Sequence, residues 1–136
     1  MNADTPTFTY QTRITLRDAD AAGRLFFARY LTLAHEAYEA FMRSRGLCFE
    51  RIIAGEDYML PVIHAQCDYR RALPLGETVT ITLDIAEVRT RAFTVAYQLR
   101  NGQGELAATV QTVHAPVSKT TGRAIRLPEN LRSAIS

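Results

Sequence analysis

Hydrophobic and polar residues alternate near the start of the chain and then change their spacing. Between Phe8 and Leu16 the apolar side chains fall at every second position, which is the period of a β-strand with one buried face. From Phe27 onward they recur at three- and four-residue intervals as far as Gly46. This period predicts one α-helix of about twenty residues, on the order of 30 Å long, that ends at the glycine.

Four further strands are predicted after the helix. Alternation is clearest in the second and third of them, and turn sequences at residues 73–76 and 101–104 separate neighbouring strands. A polar segment at 119–136 follows, with a short helix predicted at 128–136. The four strands are predicted at residues 58–70, 77–88, 91–100 and 105–118.

This order of elements predicts a single α+β domain over residues 1–136. Five antiparallel strands with one apolar face can wrap around the single long helix, with the core in residues 7–118 and a polar tail at 119–136. Sheet edges and outer sheet faces are commonly buried by self-association, so we expect a homo-oligomer.

Composition excludes several classes of protein. The 136 residues include 16 basic and 14 acidic ones, a net charge of +2 that is too balanced for a nucleic-acid-binding protein. No apolar run approaches the roughly 20 residues that span a bilayer, and the polar N-terminus lacks the features of a signal peptide. We therefore expect a cytoplasmic protein, or a mature form that has already been delivered, without nucleic-acid or membrane partners.

Cysteine and histidine spacing does not indicate a metal site. Cys48 and Cys67 are far apart and lack CxxC spacing, so we expect two reduced thiols. His35, His64 and His114 show neither HxH nor HxxxH spacing.

Residues 18–27 carry the strongest candidate chemistry and read Asp-Ala-Asp-Ala-Ala-Gly-Arg-Leu-Phe-Phe. Two carboxylates and a glycine-containing turn stand directly before the predicted helix. A helix N-terminus offers unpaired N–H groups and the positive end of the helix dipole. A carboxylate and such donors aimed at one point suit an electrophilic carbonyl better than a metal or a nucleic acid.

Several segments resemble a known family. The turn at residues 18–23 before a long helix is similar to the Asp-x-Asp-x-x-Gly motif of the 4-hydroxybenzoyl-CoA thioesterase family, which has the hotdog fold. The resemblance covers roughly residues 7–130. Three later segments resemble the branch of this family that hydrolyses 1,4-dihydroxy-2-naphthoyl-CoA; they are His-Glu-Ala-Tyr-Glu at 35–39, Leu-Pro-Val-Ile-His-Ala at 60–65 and Gln-Thr-Val-His at 111–114.

The resemblance implies a function and an assembly. It implies a hotdog-fold thioesterase that hydrolyses an aromatic acyl-CoA during phylloquinone or menaquinone synthesis. It also implies homodimers or homotetramers with sites at subunit interfaces. No metal or cofactor is implied, because coenzyme A arrives as part of the small-molecule acyl-CoA substrate.

The resemblance also assigns residue roles. Asp20 takes the place of the catalytic carboxylate, and the backbone N–H of Phe27, seven residues further on, takes the place of the donor to the carbonyl oxygen. One carboxylate can attack a thioester directly or activate water, and both routes stay open. Asp18 is the better candidate for ordering the turn or capping the helix, which is also the alternative role for Asp20.

Substrate contacts are implied at three further positions. Arg89 and Arg91 stand at the strand turn where the family places cationic nucleotide contacts, and arginine suits a diphosphate. His64 could line the acyl pocket and bond a ring hydroxyl. Asp20 and Arg89 would then serve one site from different chains.

Three departures from the family pattern bear on the substrate. Phe27 and Leu16 stand where the short-chain acyl-CoA branch has histidine and tyrosine, which favours the aromatic branch. Arg24 replaces a branched aliphatic residue, and its role is left open. A thioesterase for other aryl- or fatty-acyl-CoA substrates and a non-catalytic acyl-CoA-binding module are the alternatives.

Overall fold

One long helix packs against a five-stranded antiparallel sheet in the computed structural model, which describes residues 6–136. The strand order is β1-β4-β5-β6-β3, and β2 pairs with β7 in a separate two-stranded ladder. The helices are α1 (Arg29–Ser44), α2 (Phe49–Gly55) and α3 (Glu129–Ile135). The strands are β1 (Phe8–Arg13), β2 (Tyr58–Met59), β3 (Val62–Tyr69), β4 (Thr78–Val88), β5 (Phe93–Arg100), β6 (Leu106–His114) and β7 (Val117–Ser118).

Two predicted strands are interrupted near prolines. The strand predicted at 58–70 forms as β2 and β3, with Pro61 between them, and the strand predicted at 105–118 forms as β6 and β7, with Pro116 between them. Proline has no backbone N–H to donate to a strand ladder, so pairing stops beside it.

The first strand and the long helix are shorter than predicted. The strand predicted to reach Leu16 ends at Arg13, and Leu16–Asp18 forms a short 3-10 turn. The helix predicted from Phe27 begins at Arg29. Side-chain periodicity indicates which face is buried, but an element ends where its backbone hydrogen bonds end, and periodicity does not show this.

The core lies between α1 and the inner face of the sheet. The sheet supplies alternate residues of its central strands, among them Ile81, Leu83, Val95 and Leu99. Each fully buried aliphatic or aromatic side chain contributes about 1.5–3 kcal/mol, so this packing is the main stabilising contact of the fold. The helix buries the residues that lie on one face, as its period predicts: Tyr30, Leu33, Ala34, Ala37, Tyr38, Phe41 and Met42.

The segment predicted as a polar tail contributes to this core. The short helix predicted at 128–136 forms as α3, and Leu127, Leu131 and Ile135 are buried. The guanidinium of Arg45 donates to the carbonyl oxygens of Ala134 and Ser136 at 3.2 and 3.3 Å. The tail therefore closes the core beside the C-terminal end of α1.

Strand β3 is an edge strand that is exposed on both faces. Among the described strands it pairs only with β6, and Cys67 is the only partly buried residue of β3. Its apolar side chains include Val62, Ile63 and Tyr69, of which Ile63 is 60% exposed. An unpaired edge with exposed apolar side chains is a surface that another strand can cover.

A buried polar chain crosses the core. The hydroxyl of Thr112 lies 2.8 Å from the hydroxyl of Tyr97 and 2.7 Å from Nε2 of His114. The His114 ring stacks between Tyr38 and Phe93, at centroid distances of 4.2 and 5.0 Å. Burial, with a smaller effect of the His35 charge, lowers the pKa of His114 to about 3. His114 is therefore neutral in the folded protein at neutral pH.

This burial predicts an acid-dependent loss of stability. Below pH 6.5 the unfolded chain binds a proton at His114 that the folded chain does not bind until about pH 3. The free energy of unfolding should therefore fall as the pH drops through this window, by up to about 1.4 kcal/mol per pH unit from this group. Urea unfolding of the wild type and of His114→Phe at pH 4.5–8 measures the difference. Parallel curves for the two proteins would contradict the prediction.

Candidate active site

Residues 18–27 form a closed loop that precedes α1. The N–H of Asp20 donates to the carbonyl oxygen of Arg24 at 2.7 Å, and the N–H of Gly23 donates to that of Asp20 at 3.1 Å. The N–H of Leu25 donates to the Leu73 carbonyl at 2.8 Å. The loop is therefore held both by its own backbone and by the segment that leads into β4.

The carboxylate of Asp20 is oriented by this loop. Its Oδ1 accepts hydrogen bonds from the N–H groups of Ala22 and Arg24, at 2.9 and 3.0 Å. Its Oδ2 accepts none from residues 6–136, and the residue is exposed. One oxygen thus orders the turn while the other stays available to a ligand, so the structural and catalytic roles are compatible.

Asp18 has a different environment. Its carboxylate is 3% exposed and lies between two arginines, with Oδ1 3.5 Å from Nε of Arg17 and 3.7 Å from Nε of Arg29. Its carbonyl oxygen accepts the N–H of Phe26 at 2.9 Å. Asp18 therefore joins the two ends of the loop and faces inward, a placement that suits a structural role.

Phe27 is the last residue of the loop and lies two positions before the start of α1. The backbone bonds on either side of it are made by Phe26 and Arg29, whose N–H groups donate to Asp18 and Phe26 at 2.9 and 2.8 Å. The Phe27 N–H donates to no acceptor in the described part of the chain, and its side chain is 62% exposed. An unpaired N–H at the start of a helix can stabilise negative charge that develops on a ligand oxygen.

Arg24 contributes its backbone to the loop. Its N–H and its carbonyl oxygen make the two bonds to Asp20, while its side chain is exposed and makes no ion pair with residues 6–136. An aliphatic residue at this position can make the same backbone bonds.

The three predicted substrate contacts lie away from Asp20. Arg89 and Arg91 are exposed in the turn between β4 and β5, and Nε of Arg89 pairs with Glu87 at 2.7 Å. His64 is exposed on β3, where Nε2 lies 3.1 Å from Oε1 of Gln66. Its neighbour Ala65 pairs with Thr112, which faces the core, so His64 faces the outer side of the sheet. The roles of these three residues stay predictions.

Asp20 and Arg89 lie at opposite ends of the sheet. The loop at 18–27 contacts residues 73–76, which lead into β4 at Thr78, whereas Arg89 follows the last residue of β4. At about 3.3 Å per residue, β4 separates the two ends by on the order of 30 Å. One chain therefore does not bring these residues together, and a shared site requires a second chain.

Tyr69 is a neighbour of this site that the sequence did not reveal. Its hydroxyl donates to the Phe27 carbonyl oxygen at 2.7 Å, across a separation of 42 positions. No motif marks Tyr69. The only available signal was the strand period, which places Tyr69 on the same face as Cys67, toward the core.

Residues 6–136 offer neither a metal site nor a membrane-spanning helix. No group of three or more His, Cys, Asp or Glu side chains could hold a metal ion. None of the helices has both the length and the apolar composition that crossing a membrane requires.

Residues 14–135 match the sequence profile of the Thioesterase-like superfamily. The chain belongs to this superfamily. A 1,4-dihydroxy-2-naphthoyl-CoA hydrolase from Synechocystis sp. is 31% identical over 130 residues, which cover 95% of this chain and 94% of the relative. The hydrolase of the same name from Rippkaea orientalis is 33% identical over 124 residues, 90% of each chain.

Solved structures confirm the predicted hotdog fold. The crystal structure of a 1,4-dihydroxy-2-naphthoyl-CoA thioesterase from Synechocystis superposes with a TM-score of 0.90 at 30% identity, and the match covers 94% of each chain. The predicted α+β architecture, a long helix against a five-stranded antiparallel sheet, is therefore confirmed.

The backbone conformation predicts different effects on the free energy of unfolding when alanine replaces two of the glycines. Gly23 has a φ of 77°, so Gly23→Ala should lower the free energy of unfolding by about 1 kcal/mol through backbone strain alone, since no atom lies within 4 Å of the added Cβ. Gly55 ends α2 without a positive φ and also has open space, so Gly55→Ala should be neutral or stabilising. Urea unfolding of both variants checks this, and equal effects would contradict it.

Proposed function

We propose that this protein is an acyl-CoA thioesterase of the 4-hydroxybenzoyl-CoA thioesterase family. It hydrolyses 1,4-dihydroxy-2-naphthoyl-CoA to 1,4-dihydroxy-2-naphthoate and coenzyme A, for phylloquinone or menaquinone synthesis. The observation that carries the proposal is one loop that holds an exposed carboxylate and a backbone N–H, where one carboxylate oxygen and the N–H have no hydrogen-bond partner within residues 6–136. The acyl group is taken from the two cyanobacterial hydrolases, which are similar along nine tenths of the chain or more.

In the proposed reaction the Phe27 N–H binds the thioester oxygen, and Asp20 acts as nucleophile or general base. The thioester oxygen accepts the Phe27 N–H, which stabilises the negative charge that forms as the carbonyl carbon is attacked. Oδ2 of Asp20 either attacks that carbon, forming an acyl-aspartyl anhydride that water then hydrolyses, or removes a proton from an attacking water. In both routes the carbon–sulfur bond breaks and coenzyme A leaves as a thiolate. Label on Asp20 after a single turnover in labelled water would establish the anhydride route, because general-base hydrolysis puts the label only into the product.

The reaction needs no metal or redox cofactor in this proposal. A thioester carbonyl is already electrophilic, and a thiolate is a good leaving group, so a carboxylate and one hydrogen-bond donor are sufficient. Coenzyme A enters as part of the substrate, and we expect the enzyme to act in the cytoplasm.

A homodimer through β3 completes the site in this proposal. Antiparallel pairing of two β3 strands about a two-fold axis would join the sheets and cover the exposed apolar edge. Tyr69 at one end of β3 contacts Phe27, and His64 lies toward the other end. The pairing therefore places the His64 end of one chain, with its Arg89 turn, near the Asp20 loop of the other. Two such dimers can pair further into a tetramer.

Removing the charge of Asp20 should abolish hydrolysis without unfolding the protein. The amide oxygen of Asp20→Asn can accept the same two backbone N–H groups, whereas the amide is neither a nucleophile nor a base. We expect a loss of about 10²–10⁴-fold in kcat/KM at an unchanged melting temperature. Coenzyme A release from dihydroxynaphthoyl-, 4-hydroxybenzoyl-, phenylacetyl- and medium-chain acyl-CoA measures it. Asp57→Asn, at an exposed carboxylate outside the loop, is the control that should retain full activity.

Three outcomes would count against the proposal. A folded Asp20→Asn protein with wild-type rates would overturn the site. Tight binding of acyl-CoA without turnover of any thioester would favour the acyl-CoA-binding module. A tenfold or larger preference for a fatty acyl chain would overturn the aromatic substrate and leave the thioesterase in place.

A charge on the β3 edge should prevent assembly. Ile63→Glu places a carboxylate among the apolar side chains that the proposed dimer buries, so sedimentation velocity should show monomers, with hydrolysis lost at a retained fold. Ile53→Glu is the matched control, because Ile53 is also an exposed isoleucine but lies on α2 rather than on β3. An Ile63→Glu protein that assembles like the wild type would rule out this interface.

A further inference from the structure

A single side-chain bond connects the edge strand to Phe27. Tyr69, the last residue of β3, donates its hydroxyl hydrogen to the Phe27 carbonyl oxygen at 2.7 Å. That oxygen accepts no backbone hydrogen bond from residues 6–136, and the helical bonds of α1 begin after it. Tyr69 is thus the only hydrogen-bond partner that the described chain offers to either backbone group of Phe27.

The Tyr69 hydroxyl is itself held in place. Its ring meets the buried ring of Tyr30 edge to face, at a centroid distance of 4.8 Å and an angle of 87°. The Tyr30 hydroxyl donates elsewhere, to the Arg71 carbonyl oxygen at 3.3 Å. Desolvation of the hydroxyl by its neighbours, with a smaller effect of the Cys67 thiol, raises the pKa of Tyr69 above its ordinary value. The hydroxyl therefore keeps the proton that it donates.

Two peptide planes meet at Phe27, and different contacts hold them. The Phe27 N–H shares its plane with the Phe26 carbonyl, whose oxygen accepts the Arg29 N–H at 2.8 Å. The Phe27 carbonyl lies in the next plane, and the Tyr69 hydroxyl donates to it. With both planes held, rotation about the bonds of Phe27 is limited, and so are the directions that its N–H can take.

We infer that Tyr69 is a positioning residue for thioester hydrolysis, whose hydroxyl holds the Phe27 carbonyl so that the Phe27 N–H stays aimed at the thioester oxygen. The inference rests on the proposed function, in which this N–H stabilises the developing negative charge. A hydrogen-bond donor that already points at the thioester oxygen needs no reorientation during the reaction, and a small displacement of that donor lowers the rate. Because the charge is greatest in the transition state, the effect falls on kcat more than on KM.

Tyr69→Phe tests this role, because it keeps the ring against Tyr30 and removes only the hydroxyl. We expect kcat to fall about tenfold, with KM within about a factor of two of the wild type. Tyr30→Phe is the matched control. It removes the hydroxyl of the adjoining ring, which bonds Arg71 rather than Phe27, so kcat should stay at the wild-type value.

NMR spectroscopy detects the hydrogen bond from Tyr69 to the Phe27 carbonyl independently of activity. Phe27–Ala28 is the only Phe-Ala pair in the sequence, so labelling phenylalanine with ¹³C at the carbonyl and alanine with ¹⁵N gives one amide–carbonyl signal. A hydrogen bond to a carbonyl oxygen deshields the carbonyl carbon. The carbon resonance should therefore move upfield in Tyr69→Phe and stay in place in Tyr30→Phe.

The outcomes separate this role from the proposed function. A moved resonance together with the tenfold loss of kcat supports the inference. A moved resonance with wild-type kcat overturns it, and so does a rise in KM alone, which would mean that Tyr69 contacts the substrate. Asp20→Asn is assayed beside these variants. If it stays active, the proposed function fails; if it is inactive while Tyr69→Phe is fully active, only the role of Tyr69 fails.

Discussion

The packing of α1 against the inner face of the sheet is the contact on which the rest of the structure depends. Ala34 and Ala37 on the buried face leave room for the sheet to approach, and Phe41 fills the space toward the C-terminal end. This contact fixes where the N-terminus of α1 lies. The loop at 18–27 joins that N-terminus to the end of β1, so its position follows from the same packing.

The loop at 18–27 has an ordered backbone and also presents groups that a ligand can contact. Asp18 faces inward and joins the loop ends, while Asp20 uses one carboxylate oxygen to order the turn and leaves the other open. The Phe27 N–H has no acceptor among residues 6–136, because it precedes the regular bonds of the helix. Both groups that the proposed hydrolysis needs therefore result from the way in which the chain enters α1. The Phe27 N–H is held in addition through the hydrogen bond from the Tyr69 hydroxyl of β3 to the Phe27 carbonyl.

Much of the fold was predictable because its signals are local. The buried face of α1 and the alternation of β4 appear as spacing in the sequence, and both formed as predicted. The interruptions near Pro61 and Pro116 and the burial of Leu131 were not predicted. Strand ends depend on which N–H groups find partners, and whether a short helix in a polar segment is buried depends on the surface that it covers.

For the site, the sequence alone showed the resemblance to the family, and through it marked Asp20 as the candidate carboxylate and Phe27 as the candidate backbone donor. The tertiary structure decided that Asp18 is buried while Asp20 is not, that Arg89 lies at the far end of the sheet, and that Tyr69 reaches Phe27. The difference has one physical reason. A motif consists of residues that are close in the sequence. Burial, distance across a sheet and a hydrogen bond between residues 42 positions apart depend instead on how the chain packs against itself.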